Sequence, residues 1–290
     1  HPGIPERPPR TDAWPQFLAQ ARRRRFDVAI QAYGARPAAD EVTAQIPARH
    51  RAGFAVAGSV GTDPSRHLPY PHDRHEIDRH LDLMRLLGAP PADRALELPL
   101  TADDRRAAAG VRTGAGLTPP YALLHPGATS SSRRWPPQHF AAVGDALAAR
   151  GLAVAVTGVA AEAPVTAAVV SAMSAPAADL SGRTTLGSLA ALLDDAALLV
   201  ASDTGVAHLA AAVRTPSVTA FLSGDPVRWA HPSPLHRTAR VDVGCNPCPH
   251  LDCPIDHRCA ARLSPGAVLA EAEQLLARPP APPECQRARA

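Results

Sequence analysis

The chain has 290 residues, 46% apolar and 20% charged, enough to bury one large or two ordinary cores and too apolar for a disordered polypeptide. Its formal net charge of +3 rests on 30 basic residues, all arginine, a balance that requires no nucleic-acid partner. Charged groups interrupt every apolar run before the ~18 residues a membrane span needs, and the Pro-rich start from His1 to Pro9 lacks the apolar core of a signal peptide, so a cytoplasmic protein is expected.

In chain order, Trp14 to Arg25 predicts a short helix ending in four arginines, and Phe26 to Gln31 predicts a buried strand. Arg22 to Arg25 would meet anionic lipid or a lipid-linked acceptor at a membrane face, or form a solvated helix end. A polar helix follows from His75 to Leu87, with Ile77, Leu81, Met84 and Leu87 at helical spacing and Gly88 and Pro90 as its stop. Residues 92–120 are charged, then rich in Gly and Pro, and the domain boundary is expected near residue 118. That divides the chain into 1–117, 118–277 and a Pro-rich tail, 278–290, expected to be disordered.

The second half alternates apolar strands with helices. Strands are predicted at 121–124, 152–157, 178–180, 197–201 and 217–221, with helices at 138–150, 161–173, 185–194 and 206–212 between them. This rhythm implies an α/β domain with a parallel sheet, right-handed crossovers and ligands at the carboxyl ends of its strands.

Two loops at those ends have phosphate-binding chemistry. The first, His125 to Pro136, combines Gly127, four hydroxyl residues and Arg133 and Arg134: hydroxyls donate and guanidinium groups neutralise and fork. Composition alone would equally suit an ordinary polar loop. The second, Ser202-Asp-Thr-Gly-Val-Ala-His208, directly follows a strand, and the helix that opens there aims free N–H groups and its positive dipole end at an anion. Asp203 is unsuited to a bare phosphate and suited to sugar hydroxyls, while Asp203 or Thr204 could instead serve as an N-cap. His208 is a candidate phosphate donor. Glu162, just past a strand, is placed to accept from ribose hydroxyls or to sit as a solvated first-turn carboxylate.

The segments HPGATSSSRRWPPQHFAAVGDALAARG, VTGVAAEAPV, SDTGVAHLAAAVRTPSVTAF and GDPVRW, in this order, resemble glycosyltransferase family 9, the ADP-heptose:lipopolysaccharide heptosyltransferases. RRRRFDVAIQAYG and HEIDRHLDLMRLLG extend the likeness upstream more weakly. The resemblance implies a GT-B fold, two Rossmann-like doubly wound domains facing a cleft, with the acceptor on the N-terminal side and the nucleotide sugar on the C-terminal side. It implies an inverting, metal-independent transfer of a sugar, heptose from ADP-heptose, to a lipopolysaccharide-core or other envelope glycan, with no cofactor needed for catalysis. By matching position, Thr129, Ser130 and Arg133 face the diphosphate, Glu162 takes the ribose, and Thr184, Thr185 and Leu186 flank the base. Asp203 holds the donor sugar, with Thr204, Gly205, Val206 and His208 around the phosphates. The family's catalytic aspartate lies in a strand–loop–helix that has no counterpart before Trp14, so the N-terminal domain is expected to be incomplete and no catalytic base is named. A sugar-nucleotide epimerase of the same architecture and an inactive nucleotide-sugar-binding module are the alternatives.

Cys245, Cys248, Cys253 and Cys259 form a C-x2-C-x4-C-x5-C cluster with His250 and His257 between them. Four thiolates so spaced suit a structural zinc or iron–sulfur site; free thiols or a disulfide is the other reading.

Overall fold

The computed structural model of the chain describes residues 11–34, 36–55, 63–90 and 92–277. Both terminal stretches, including the tail at 278–290, lie outside the described residues. The chain divides into two compact units, one ending at Arg94 and the other beginning at Ala95.

The first unit opens with helix α1 (Trp14–Arg24), which has a proline in its first turn and is stopped by Arg25 in the left-handed region. Strand β1 (Phe26–Gln31), helix α2 (Pro37–Gln45), strand β2 (Ala48–Ala55) and strand β3 (His67–Pro69) follow, then helix α3 (Glu76–Leu86). The strands form one parallel sheet in the order β1-β2-β3. β1 is not the buried strand expected from its apolar run: Phe26, Val28 and Ile30 are 41–42% exposed, while Ala29 and Gln31 are buried. Successive side chains point to opposite faces, and only one face of this strand is covered by described residues. Arg79 of α3 is almost wholly buried and bonded throughout, donating to Glu76 Oε2 (2.6 Å), the Tyr70 hydroxyl (2.7 Å) and the carbonyls of Pro71 and His72 (both 2.6 Å). A buried guanidinium is tolerable only with such a full set of partners.

The second unit begins with a helix that the Gly- and Pro-bearing stretch concealed, α4 (Ala102–Gly114). Thr101 and Asp104 form a capping box at its start. Its Ala108 packs in the same apolar cluster as Leu192 and Leu193, which places the boundary upstream of α4 instead of near residue 118. Beyond it run β4 (Tyr121–His125), α5 (Pro137–Ala148), β5 (Ala153–Val156), α6 (Ala163–Ala172), β6 (Ala177–Asp179), α7 (Leu186–Asp194), β7 (Leu198–Ser202), α8 (Gly205–Ala212), β8 (Ser217–Ala220), α9 (Pro226–Trp229), β9 (His236–Ala239), α10 (Arg258–Arg262) and α11 (Pro265–Leu276). All six strands are parallel, in the order β6-β5-β4-β7-β8-β9. The sixth strand, with its polar sequence HRTA, carries no apolar pattern to betray it.

The sheet is covered on both faces. Ala122, Leu124, Val200 and Val218 pack in one cluster with Trp135, Phe140, Leu147 and Val268, while Tyr121, Leu123, Leu199 and Ala201 pack in another with Leu192, Leu193, Val206 and Ala210. Alternation along β4 and β7 therefore feeds two cores, and each fully buried large aliphatic side chain contributes about 1.5–3 kcal/mol. The strand order reverses between β4 and β7, which opens a crevice beyond their carboxyl ends.

Candidate functional site

At the end of β7, the Ser202 hydroxyl donates to the Pro126 carbonyl (3.1 Å), tying this strand to the loop after β4. Next to it Asp203 is only 4% exposed, yet its Oδ2 has no hydrogen-bond partner. Arg133 Nη1 stands 3.6 Å from that oxygen. Gly224 makes the room: a Cβ there would lie 1.9 Å from Asp203 Oδ2. Burial pushes the Asp203 carboxyl above its ordinary range, the Arg133 guanidinium pulls it down, and the Asp225 carboxylate pushes it up again. A buried carboxylate with an unmade bond and a half-satisfied cation beside it is costly unless a polar ligand completes it.

Thr204 is extended (φ −155°, ψ 176°) and its side chain makes no cap to α8, so the N-capping role is not taken by it. The first turn of α8 thus keeps N–H groups for a ligand, and the position of a Gly205 Cβ faces open space. Val206 is buried and its side chain belongs to the core. His208, one turn in, lines the same cleft as Asp203.

Across the switch point, His125 ends β4. Its Nδ1 is 2.9 Å from the Thr157 hydroxyl, and its Nε2 is 4.0 Å from Glu162 Oε2. Burial lowers the His125 pKa and the Glu162 charge only partly restores it, so the imidazole is neutral at pH 7. Glu162 Oε2 accepts from the Val159 N–H (2.9 Å), and its carboxyl occupies the place a side chain at Gly127 would need, 2.2 Å from a Cβ there. The glycine of HPGA is therefore required by the acid. Beside it the Gly182 N–H donates to the Gly158 carbonyl (2.9 Å), joining the loops after β5 and β6. Val159 in the first of these loops and Leu186 at the start of α7 are 62% and 65% exposed. Thr184 is half-buried there, and Thr185 caps α7 by accepting from the Ser188 N–H (3.2 Å).

The loop after β4 splits its side chains. Thr129 is exposed and Arg133 half-exposed toward Asp203, whereas Ser130 is buried and differs from the phosphate role expected for it. Its hydroxyl is already engaged by the Leu251 carbonyl and by Ser132 Oγ (2.7 Å). Ser132 donates from its N–H to Leu251 O (3.0 Å) and from its hydroxyl to His250 O (2.6 Å), lies 2.9 Å from Ser223 Oγ, and has its carbonyl 2.9 Å from His257 Nε2. The Cys-rich segment is thereby stitched to the loop, a role invisible in its spacing. Cys245 is exposed, Cys248 and Cys253 are half-buried and Cys259 is buried, all as free thiols. Among the described residues no three His, Cys, Asp or Glu side chains gather into a metal-holding group.

Reading by position singles out Arg133, Asp203, Glu162 and His208, and the structure places all four in or beside the loops at the carboxyl ends of the sheet. His125 and Ser132 stand inside the first loop and Gly224 opens GDPVRW, but no role attaches to them individually or to His231, which only the sheet brings to these loops.

A doubly wound parallel sheet with cationic, hydroxyl and helix-terminal groups at its carboxyl ends, in a chain with a second parallel sheet, defines the GT-B class of α/β proteins. The family model of glycosyltransferase family 9 (heptosyltransferase) matches residues 16–258, and the chain belongs to that family. It is 30% identical over 166 residues to lipopolysaccharide heptosyltransferase 3 of Escherichia coli, an alignment covering 56% of this chain and 48% of that protein. The chain thus spans about half the length of that curated relative. A solved glycosyl transferase family 9 protein from Veillonella parvula shares the fold (TM-score 0.74, 18% identity, 93% of this chain and 80% of that one). So does ADP-heptose lps heptosyltransferase II of E. coli (TM-score 0.68, 21% identity, 90% and 80%).

Proposed function

We propose that the second unit binds a nucleoside diphosphate sugar and that the protein transfers its sugar, with inversion, to a lipopolysaccharide-core or other envelope glycan. The observation that carries this is the buried, unpartnered Asp203 oxygen beside Arg133 and the start of α8. Asp203 accepts from the hydroxyls of the donor sugar. Thr129, Arg133, Thr204, His208 and the N–H groups of Gly205 and Val206 receive the diphosphate, with Ser130 holding the loop in place. Charge developing on the departing diphosphate is met by the Arg133 guanidinium and the α8 dipole, so the protein supplies the stabilisation that a metal gives elsewhere. Glu162 accepts from the ribose, and the base lies by Thr184, Thr185, Leu186 and Val159.

Heptose is the sugar proposed, by likeness to a curated relative named a heptosyltransferase, and ADP-heptose the donor, by likeness to a solved structure whose name carries it. The acceptor is lipid-linked or an envelope glycan, reached from the cytoplasmic face with peripheral membrane contact; among the described residues no helix is long and apolar enough to cross a membrane. No residue of this chain is assigned as the base. The Cys245–Cys259 segment braces the donor loop, and a zinc ion or iron–sulfur cluster is the ligand its four thiols would take on drawing together; metal analysis by mass spectrometry without chelator tests this, and protein free of zinc and iron removes it.

Calorimetric titration of ADP, UDP and GDP into the wild type and the Arg133→Ala and Asp203→Ala variants tests the donor site. Micromolar binding of ADP, lost on Arg133→Ala, is expected. Failure of all three to bind a folded sample would overturn the reading. Release of an epimerised free sugar nucleotide, in place of acceptor-linked sugar, would replace transfer by epimerisation.

A further inference from the structure

The loop that follows β1 stands at the carboxyl end of the first unit's sheet, the end at which parallel sheets receive ligands. Two side chains hold it. From within, the buried Gln31 carboxamide donates from Nε2 to the Gly34 carbonyl (2.7 Å) and accepts the Tyr33 N–H at Oε1 (2.6 Å). From α3, His80 sets Nε2 3.0 Å from the carbonyl oxygen of Ala32, 48 positions upstream, and Nδ1 2.8 Å from the carbonyl oxygen of Glu76, one turn back on its own helix. The half-buried ring meets Phe54 of β2 edge to face at 5.7 Å. The polar run HEIDRHLDLMRLL does not mark this histidine out, since one of its two partners comes from another element.

Carbonyl oxygens only accept, so both contacts are hydrogen bonds only when both ring nitrogens carry protons, and a neutral imidazole carries one. The conflict arises with either tautomer. A neutral ring protonated at Nδ1 turns a lone pair on Ala32 and loses its tie to the loop. One protonated at Nε2 turns a lone pair on the Glu76 oxygen at 2.8 Å and must swing away, which carries Nε2 off Ala32. The imidazolium makes both bonds, each charge-assisted. We propose that His80 is a proton-dependent clamp: charged, it fastens the loop after β1 to α3, and on losing a proton as pH rises it lets that loop loosen. Of the charged and titratable groups on the elements around it, Glu76 and Arg79 of α3 are paired with each other (2.6 Å), and Tyr70 of the loop after β3 is bonded to both (3.1 and 2.7 Å), with His72 edge to face against its ring. Arg36, at the start of α2, stands 5.9 Å from the ring of Tyr33 in the clamped loop, and β2 brings the apolar Phe54. Glu76 favours a charged ring and its partner Arg79 opposes one, so the two carbonyls decide. Under the transfer reading the ligand at this end of the first unit is the acceptor; the clamp itself does not depend on that reading.

The test uses the 15N-labelled full chain without ligand, as wild type, His80→Gln and His80→Phe, at about pH 5.5 and about pH 8.5, on either side of the ordinary histidine range. Imidazole 15N–1H spectra read the ring and amide 15N relaxation reads the loop. At the lower pH both His80 nitrogens are expected to carry protons, and the Tyr33 and Gly34 amides to have order parameters of about 0.85; at the higher pH one ring proton is gone and the loop values fall below about 0.6. Ring and loop signals should move with one midpoint. His80→Phe keeps an aromatic ring against Phe54 but donates nothing, so its loop is loose at both pH values. His80→Gln carries a donor that does not titrate, so its loop shows no pH step. A single proton on His80 at about pH 5.5, a wild-type loop equally ordered at both pH values, or a pH step that persists in the variants would overturn the proposal. If circular dichroism shows that His80→Phe does not fold, the wild-type titration and His80→Gln decide alone.

Discussion

The two parallel sheets of this chain are built from similar apolar runs and end in different states. In the second unit β4 and β7 are buried from end to end, with alternate residues in two separate cores. In the first, β1 sends Phe26, Val28 and Ile30 to a face that described residues leave open. A sheet covered on both faces is a stiff platform, and it is at the carboxyl ends of that platform that the Asp203 oxygen without a hydrogen bond and the close approaches of Glu162 to Gly127 and of Asp203 to Gly224 are held. Close placement of such groups is affordable only where the backbone beneath cannot yield.

The contrast has measurable consequences. Leu199→Ala in β7 removes a fully buried side chain and is expected to destabilise by about 2–5 kcal/mol in urea unfolding, whereas Val28→Ala in β1 should cost less than about 1 kcal/mol. Equal losses would mean that the exposed face of β1 is covered in solution. Arg133→Ala should weaken ADP binding by roughly 1.5–3 kcal/mol, the range for a hydrogen bond to a charged group, with little change in melting temperature since Arg133 is half-exposed.

Asp203→Asn should do the reverse, raising stability while weakening binding of the sugar nucleotide. Burial raises the Asp203 pKa, so the neutral acid is the form the fold favours: its contribution is whole below the ordinary carboxylate range and is lost as pH rises through the raised value. The variant should therefore melt higher at about pH 7.5, by about 1 kcal/mol or roughly 2–4 °C, and the gap should close toward about pH 4. A variant that melts lower at neutral pH would show that the carboxylate is satisfied in solution.

A second pH effect, confined to the acid range, concerns His236, whose pKa burial lowers to about 4 from an ordinary 6.5. The unfolded chain takes up this proton first, so the associated stability is full above pH 6.5 and declines as pH falls toward about 4. His236→Asn, whose carboxamide stands where Nδ1 does, should flatten that part of the stability profile while keeping a bond to Ser217.

Much of the second unit was legible. Strands and helices from Tyr121 to Phe221 follow from short apolar runs at regular intervals, and Arg133, Glu162, Asp203 and His208 follow from their position just after strands, where parallel sheets bind ligands. α4 was also open to reading, since Thr101 and Asp104 at capping-box spacing precede a helix-forming run, but the surrounding Gly and Pro masked it. β9 was not, because its four polar residues become a strand only by pairing with β8.

What the sequence by itself determined is the periodic part: an α/β chain, the succession of strands and helices from Tyr121 to Phe221 and the loops that carry charge and hydroxyls, because local spacing decides which side chains share a face. Only the tertiary structure decided which members of those loops meet. It turned Ser130 toward Leu251, bound the Cys-rich segment to the loop after β4, left Asp203 buried with an open oxygen, and set His231 against His208. These outcomes depend on crossovers that bring residues tens to over a hundred positions apart within hydrogen-bond distance, and no local pattern records a distance across the sheet.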